Sequence, residues 1–207
     1  IQVQPQGTPV PEGSERQTKT AAFRKWFGKS KVVDDDGDPL VVYHGTQDDI
    51  KAFDLDHPKR KDSGWLGRGV YLTSNRQIAE SYSRLKIAGT AGPQVIEAYA
   101  RVTNPYIATQ RDKQRIQFIE HNQGREAARQ ASREWTDKLK EAGHDGVILN
   151  YGAEQVGTAS EGMEIVVFDP AGVKSATGNR GTYDATDPNI LHQTPRARWH
   201  SKARNIV

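Results

Sequence analysis

Short β-rich runs separated by helical and turn-forming sequence are the feature that most restricts the fold of this chain. Valine, isoleucine and tyrosine dominate these runs, and such composition is typical of strands. The runs lie at residues 40–45, 70–73, 94–102, 146–150 and 164–168. They are interspersed with helical segments without regular β-α-β repetition, which predicts an α+β domain with mostly antiparallel pairing.

A short amphipathic helix is predicted near the start of the chain. Phe23, Trp26 and Phe27 fall at positions i, i+3 and i+4, and Gly28 follows directly. This spacing places the three aromatic rings on one helical face, and glycine ends helices well. The sequence therefore predicts a helix within residues 17–28.

Two further helical regions follow. Ser74 is predicted to cap a helix on which one face carries Ile78, Tyr82 and Leu85. A longer helical region spans about residues 111–142, and Gly124 is expected to divide it in two. In its second half, the spacing predicts a buried stripe made of Ala128, Ala131, Trp135, Leu139 and Ala142.

The ends of the chain differ in composition from its middle. Residues 1–16 are rich in proline, glycine and polar side chains, and we expect a disordered leader. Residues 17–185 form the predicted domain, and residues 186–207 form a basic, poorly ordered tail. Positive charge without any acidic residue is concentrated at 195–207, in Arg196, Arg198, Lys202 and Arg204. A solvated terminus is favoured there over a phosphate-binding arm, which stays open.

Composition excludes several kinds of chemistry. The chain has no cysteine, so disulfide bonds and thiolate catalysis are impossible. No apolar run approaches the roughly 18 residues of a membrane-spanning helix. The six histidines have no metal-ligand spacing, so we expect no metal site. The glycines of 64-GWLGRGVY-71 match neither a phosphate loop nor a dinucleotide fingerprint and by themselves indicate a flexible loop.

Three segments, in order, carry a more specific signal: Y-H-G-T at 43–46, G-x-G-V-Y-L-T at 67–73 and E-I-V-V-F at 164–168. Together they resemble the ADP-ribosyltransferase superfamily, in the branch marked by His, Tyr and Glu on separate strands. The resemblance is closer still to the ADP-ribosyltransferase domains of phage polyvalent proteins and bacterial polymorphic toxins. The segments 23–39, 142–148 and 164–175 also match, so the similarity covers about residues 20–185.

The resemblance implies a fold and a catalytic set. The fold is α+β, with split antiparallel β-sheets that form an NAD cleft and are flanked by helices. His44 would contact the ribose hydroxyls of NAD, and Tyr71 would stack on the nicotinamide ring. Glu164 would be the catalytic carboxylate, because a carboxylate stabilises the positive ribose that forms when the nicotinamide bond breaks. The structural alternatives are a buried histidine, a core tyrosine and a solvated glutamate.

Further NAD contacts are implied around these three residues. Gly45 would let the backbone approach the nicotinamide amide, and Thr46 would add a hydroxyl contact. Arg68 would meet the pyrophosphate, with surface solvation as the equal alternative. Aromatic contacts to bound NAD would come from Tyr82 and from Trp65, which lies in the loop 50–66 that covers the ligand in this family; both could instead pack structurally.

The activity implied is mono-ADP-ribosyl transfer from NAD to a macromolecular acceptor, with release of nicotinamide. NAD is then a substrate, and the implied partners are a protein or nucleic-acid acceptor and an immunity protein, with no membrane. The implied site of action is the cytoplasm, reached directly or after secretion or injection into a target cell. Two alternatives stay open: NAD hydrolysis, and a non-enzymatic module that binds nucleic acid or protein.

Overall fold

The computed structural model of the chain describes residues 17–57, 60, 62–85, 92–151, 162–179 and 183–191. Over these residues one mixed seven-stranded sheet is flanked by four helices. The α+β prediction is therefore confirmed. The predicted leader lies outside the described residues, as does the part of the predicted tail from 192 onward.

The strands and helices have the following bounds. The strands are β1 (Val42–Thr46), β2 (Val70–Thr73), β3 (Gln94–Ala100), β4 (Pro105–Ala108), β5 (Gly146–Tyr151), β6 (Gly162–Val167) and β7 (Val173–Ser175). The helices within the described residues are α1 (Ala21–Phe27), α2 (Arg76–Ser83), α3 (Gln110–Gln123) and α4 (Arg125–Glu141). None of these four is long and apolar enough to cross a membrane. The short strands β4 and β7 were not predicted from the sequence.

Near its middle the sheet has a short pairing between β1 and β2, which we call the joint. Its strand order is β4-β5-β6-β2-β1-β3-β7, and all neighbours pair antiparallel except β4 and β5. Between β1 and β2 the register contains one pair, Tyr43 with Thr73, whereas β1 and β3 share five pairs and β2 and β6 share four. The predicted split thus lies inside a continuous sheet, with three strands on one side of the joint and four on the other.

Aromatic packing holds α1 against the three-strand side. Phe23, Trp26 and Phe27 are all buried, as the sequence predicts, and they pack with Tyr43 of β1 and Tyr99 of β3. The Phe23 ring lies 4.9 Å from the Tyr99 ring in an edge-to-face arrangement. Each fully buried aromatic ring contributes about 1.5–3 kcal/mol of transfer free energy, so this helix is a substantial part of the core.

Helices α3 and α4 lie beside the four-strand side. Gly124 separates them, as predicted. Ala128 and Leu139 of the predicted stripe are buried, but the other two buried residues of α4 are Ser132 and Thr136, in place of Ala131, Trp135 and Ala142. Small polar residues lie at these positions because a loop approaches the helix closely. The spacing of apolar residues in the sequence cannot predict such positions.

The approaching loop is the glycine-rich segment at 64–69, which is packed rather than freely flexible. Gly64 and Gly67 have φ angles of +72° and +99°, a region that favours glycine. A Cβ atom on Gly64 would lie 2.5 Å from Ser132 Oγ, and one on Gly67 would lie 2.7 Å from Thr136 Oγ1. The glycines therefore allow the loop to dock on α4, and the expectation of flexibility is corrected.

Helix α2 packs against β1 through small residues. Its N-terminal cap is Asn75, not the predicted Ser74, because the Asn75 side chain accepts hydrogen bonds from the amides of Gln77 and Ile78. The buried residues of α2 are Ala79 and Ser83. Their backbone lies directly over Gly45, so this glycine has a structural reason to lack a side chain.

Residues 186–191 extend the fold beyond the predicted boundary at 185. Ile190 is buried, and its carbonyl accepts a hydrogen bond of 2.9 Å from the amide of Ser175 in β7. The fully buried Lys174 donates from its ammonium group to the carbonyls of Asp187 and Asn189. This part of the predicted tail is thus attached to the sheet.

Replacing Gly45 by alanine should destabilise the protein strongly. The added Cβ would lie 1.8 Å from the carbonyl oxygen of Ala79, and backbone on both sides leaves little room for relaxation. We expect a loss of about 3 kcal/mol or more in the free energy of unfolding, measured by urea denaturation. Gly124→Ala is the control, because that position has a φ angle of +87° but no neighbouring atom within 4 Å. A loss for Gly45→Ala no greater than for the control would contradict the packing argument.

Candidate active site

His44 lies at the joint between β1 and β2. Its Nδ1 atom is 2.8 Å from the main-chain carbonyl oxygen of Tyr71. A carbonyl only accepts hydrogen bonds, so Nδ1 carries the proton and Nε2 of the neutral ring is an acceptor. The imidazole also packs edge-on against Phe53 at 5.0 Å. Burial lowers the pKa of His44 below its ordinary value of about 6.5, so the ring is neutral at physiological pH.

Tyr71 is positioned by the docked glycine-rich loop. Its hydroxyl accepts a hydrogen bond of 2.8 Å from the amide of Leu66 and donates one of 2.7 Å to the carbonyl of Gly67. Burial raises the pKa of this phenol well above its usual value, and the charges of Asp62 and Glu164 add to the effect. The phenol therefore fastens the loop to β2, a role that the sequence did not indicate.

Glu164 lies in β6, directly opposite Thr73 of β2 in the register. Its Oε2 atom accepts a hydrogen bond of 2.6 Å from the ammonium group of Lys113 and a second one from the hydroxyl of Tyr151. The Lys113 and Glu164 side chains are only 14% and 18% exposed. This glutamate is thus a shielded, paired carboxylate rather than a solvated one.

Lys113 and Tyr151 were not identified from the sequence. Lys113 lies in the first turn of α3 and Tyr151 at the end of β5, so they are distant in sequence from each other and from Glu164. The Lys113 ammonium is also 5.4 Å from the Tyr151 ring centre and 5.8 Å from that of Trp65. Burial, followed by the hydrogen bond to Glu164, raises the pKa of Tyr151, which keeps its phenol protonated.

Two of the predicted aromatic residues lie near this carboxylate. Tyr82 on α2 is 54% exposed, so it is not a core residue, and its pKa is raised by burial and then by the charge of Glu164. Trp65 donates a hydrogen bond of 2.5 Å from its indole nitrogen to Glu120 of α3, which lowers the pKa of that carboxyl group. Trp65 is thereby fixed at one edge of the loop.

The remaining predicted residues have other neighbours. Thr46 is buried, and its hydroxyl accepts a hydrogen bond from the amide of Asp48 at 3.1 Å. The side of Gly45 on which a Cβ atom would lie faces α2. The guanidinium of Arg68 forms an ion pair of 2.5 Å with Asp56. The described residues contain no group of three or more His, Asp or Glu side chains arranged to hold a metal ion.

Side chains alternate between the two faces of the sheet along each strand, and this alternation determines on which face each candidate residue lies. Tyr71, Thr73 and Glu164 point to one face of the sheet because paired residues share a face. Thr73 pairs with Tyr43, so His44, the next residue, points to the opposite face. His44 and Glu164 therefore lie on opposite faces of the sheet, on either side of the joint between β1 and β2. The structure therefore brings Glu164 and Trp65 to Lys113, places Tyr82 where it senses the charge of Glu164, and leaves His44 across the joint.

Comparison with known proteins gave one match. Residues 34–183 match the family model described as ADP-ribosyltransferase in polyvalent proteins. No curated protein and no solved structure matches the chain. The match covers well over half of the 207 residues and includes β1, β2 and β6.

The lowered pKa of His44 predicts a pH dependence of stability. Below about pH 6.5 the unfolded chain binds a proton at this residue that the folded protein does not, so the free energy of unfolding falls as the pH decreases. His44→Asn should therefore lose less stability than the wild type between about pH 7 and pH 5, as measured by urea denaturation. His121→Asn, at an exposed position of α3, should keep the wild-type slope. Equal slopes for His44→Asn and wild type would contradict the assignment.

Proposed function

The chain belongs to the family of ADP-ribosyltransferases in polyvalent proteins, and from this premise we propose that it transfers ADP-ribose from NAD to a macromolecular acceptor and releases nicotinamide. The observation that carries the proposal is the shielded carboxylate of Glu164, held by Lys113 and Tyr151 beside the joint of the sheet. A carboxylate that is shielded from water acts more strongly on a positive charge that develops beside it, which supports a catalytic role.

The proposed reaction needs a negative group close to the ribose. When the bond from the ribose C1′ to the nicotinamide nitrogen breaks, both electrons leave with the ring, which departs uncharged. The ribose carbon then becomes positive, and the carboxylate of Glu164 stabilises it through a hydrogen bond from a ribose hydroxyl. An acceptor nucleophile forms the new bond to C1′, and Glu164 takes its proton.

The neighbouring residues support this assignment. The aromatic rings of Trp65 and Tyr151 and the carboxylate of Glu164 surround the ammonium of Lys113, so this place is suited to positive charge. The nicotinamide ring of NAD is itself a cation. Tyr82 offers an exposed aromatic face for stacking on it. His44 offers Nε2 as an acceptor for a ribose hydroxyl on the other side of the joint.

The role of Tyr71 in this proposal is to position the loop. Its hydroxyl is engaged with Leu66 and Gly67, so it keeps Trp65 near Lys113. The proposed partners are NAD, a protein or nucleic-acid acceptor and an immunity protein. The proposed setting is an effector or phage-encoded domain that acts in a cytoplasm.

Glu164→Gln should abolish transfer and leave a folded protein. Glutamine keeps the shape of the side chain but removes the negative charge, so we expect the rate to fall by about 10²–10³-fold or more. Nicotinamide release and mass spectrometry of the products measure the reaction, and free ADP-ribose would indicate hydrolysis instead of transfer. Calorimetry should still detect NAD binding, and Glu134→Gln on the exposed side of α4 should keep full activity. A folded Glu164→Gln protein with the wild-type rate would contradict the proposal.

Lys113→Met should slow the reaction without preventing folding. The ammonium holds the carboxylate by a charge-assisted hydrogen bond of 2.6 Å, and loss of such a bond corresponds to about 10–100-fold in rate. Lys140→Met is the matched control, because Lys140 also lies over an aromatic ring, that of Phe168, away from Glu164. Equal rates for the two variants would show that Lys113 does not position the carboxylate.

A further inference from the structure

The outer face of helix α3 carries positive charge and no acidic side chain. Residues three, four and seven positions apart share one face of a helix. The face of α3 that is turned to solvent consists of the exposed residues Arg111, Gln114, Arg115, Phe118, His121 and Asn122. Two guanidinium groups, two amides, an imidazole and one aromatic ring thus lie along about three turns of the helix.

The acidic residues of α3 lie on its other faces and are already engaged. The carboxylate of Asp112 accepts hydrogen bonds of 2.8 and 2.7 Å from the amide and the hydroxyl of Thr109, which closes the N-terminal capping box. Glu120 accepts a hydrogen bond from the indole of Trp65 and pairs with Arg125 at 3.6 Å. Neither carboxylate therefore neutralises the arginines of the outer face.

The two arginines of this face keep their hydrogen-bond donors available. Arg111 and Arg115 form no ion pair and no side-chain hydrogen bond with another residue that the structure describes. The guanidinium of Arg115 lies 5.2 Å from the ring centre of Trp135, which packs edge-on against Tyr106 at 5.8 Å. The ring contact restrains the side chain but leaves the N–H groups at its edge free, so Arg115 is preorganised for an anion.

Phe118 is the most exposed large apolar side chain among the described residues, at 67%. A single exposed phenylalanine is ordinary on a protein surface. This one lies one turn from Arg115 and about 10 Å along the helix axis from Arg111, the length of about three stacked nucleotides at about 3.4 Å each. A ring beside unpaired guanidinium groups suits a single-stranded nucleic acid, because a base can stack on the ring while phosphates pair with the cations.

The same helix connects this face to the proposed active site. Lys113 projects from the other side of the first turn of α3 and donates to Glu164 at 2.6 Å. A helix with its side chains is about 10–12 Å across. A strand bound on the outer face therefore lies about one helix diameter from the carboxylate of Glu164.

We propose that the outer face of α3 binds single-stranded nucleic acid, with phosphates at Arg111 and Arg115 and a base stacked on Phe118. An acidic protein segment matches the cations but makes no use of the exposed ring, so the nucleic acid is the better fit. Binding at this face does not depend on ADP-ribosyl transfer, since none of its residues belongs to the proposed active site.

Fluorescence anisotropy with a labelled single strand of mixed sequence, about 12 nucleotides long, tests this binding. Phe118→Ala should weaken it roughly tenfold by removing the stacking surface, whereas Phe118→Trp should bind at least as tightly as the wild type. Phe118→Leu keeps apolar area without an aromatic face and should resemble Phe118→Ala. Because the side chain is mostly exposed, all three variants should keep the wild-type midpoint of urea unfolding. Wild-type affinity in Phe118→Ala would contradict the proposal.

The salt dependence of binding identifies the phosphate contacts. Arg111→Gln should reduce the slope of log affinity against log salt by about one, since each phosphate contact releases about 0.7–0.9 counterions. Arg24→Gln, at an exposed position of α1 on the three-strand side of the sheet, removes the same charge and should leave the slope unchanged. Equal changes in the two variants would show a general attraction of anions and would overturn the proposal.

Two competitors decide the class of partner. A duplex of the same sequence should bind more weakly, because its paired bases cannot stack on Phe118. Polyglutamate of equal charge should compete poorly, and tight polyglutamate binding would assign the face to an acidic protein instead. Strand binding that survives both Phe118→Ala and Arg111→Gln would belong to another part of the chain, such as the basic segment at 195–207. Either of these last two results rules the proposal out.

Discussion

One hydrogen bond between a side chain and a carbonyl governs the centre of this fold. Where β1 and β2 separate, the ladder is reduced to the pair of Tyr43 and Thr73, and the imidazole of His44 bonds to the carbonyl of Tyr71. Burial keeps the ring neutral. The hydrogen bond then fixes the tautomer in which Nδ1 carries the proton and donates it to the carbonyl. The imidazole of His44 therefore adds a side-chain contact between the two halves of the sheet where the ladder has one pair.

The electrostatics of the site follow from its low exposure. Glu164 and Lys113 are mostly shielded from water, so their attraction is stronger than that of a surface pair. The aromatic rings of Trp65 and Tyr151 add a further preference for positive charge. The ammonium of Lys113 meets this preference.

Features of the fold that depend on neighbouring residues could be predicted from the sequence. Features that depend on contacts between residues distant in the sequence could not. The pattern of Phe23, Trp26 and Phe27 predicts α1, and Gly124 marks the boundary between α3 and α4, because these signals act within a few residues. The positions of Ser132 and Thr136 were missed because close docking of a loop, not apolar burial, selects them. Lys113 meets Glu164 only through packing of α3 and pairing of β5 with β6, and neither has a signature in the sequence around these residues. The predicted His, Tyr and Glu were found on adjacent or nearby strands, but the loop-fastening role of Tyr71 arises from tertiary structure.

The segment at 186–191 covers the outer edge of β7. The amide of Ser175 would otherwise be an unpaired donor at the margin of the sheet, and such margins attract strands of other molecules. The carbonyl of Ile190 accepts a hydrogen bond from that amide. The ammonium of Lys174 holds the segment by donating to two of its carbonyls. A fragment cut at the boundary of the family match, residue 183, would keep the catalytic candidates but lose this cover. We expect such a fragment to self-associate more readily through the exposed edge of β7.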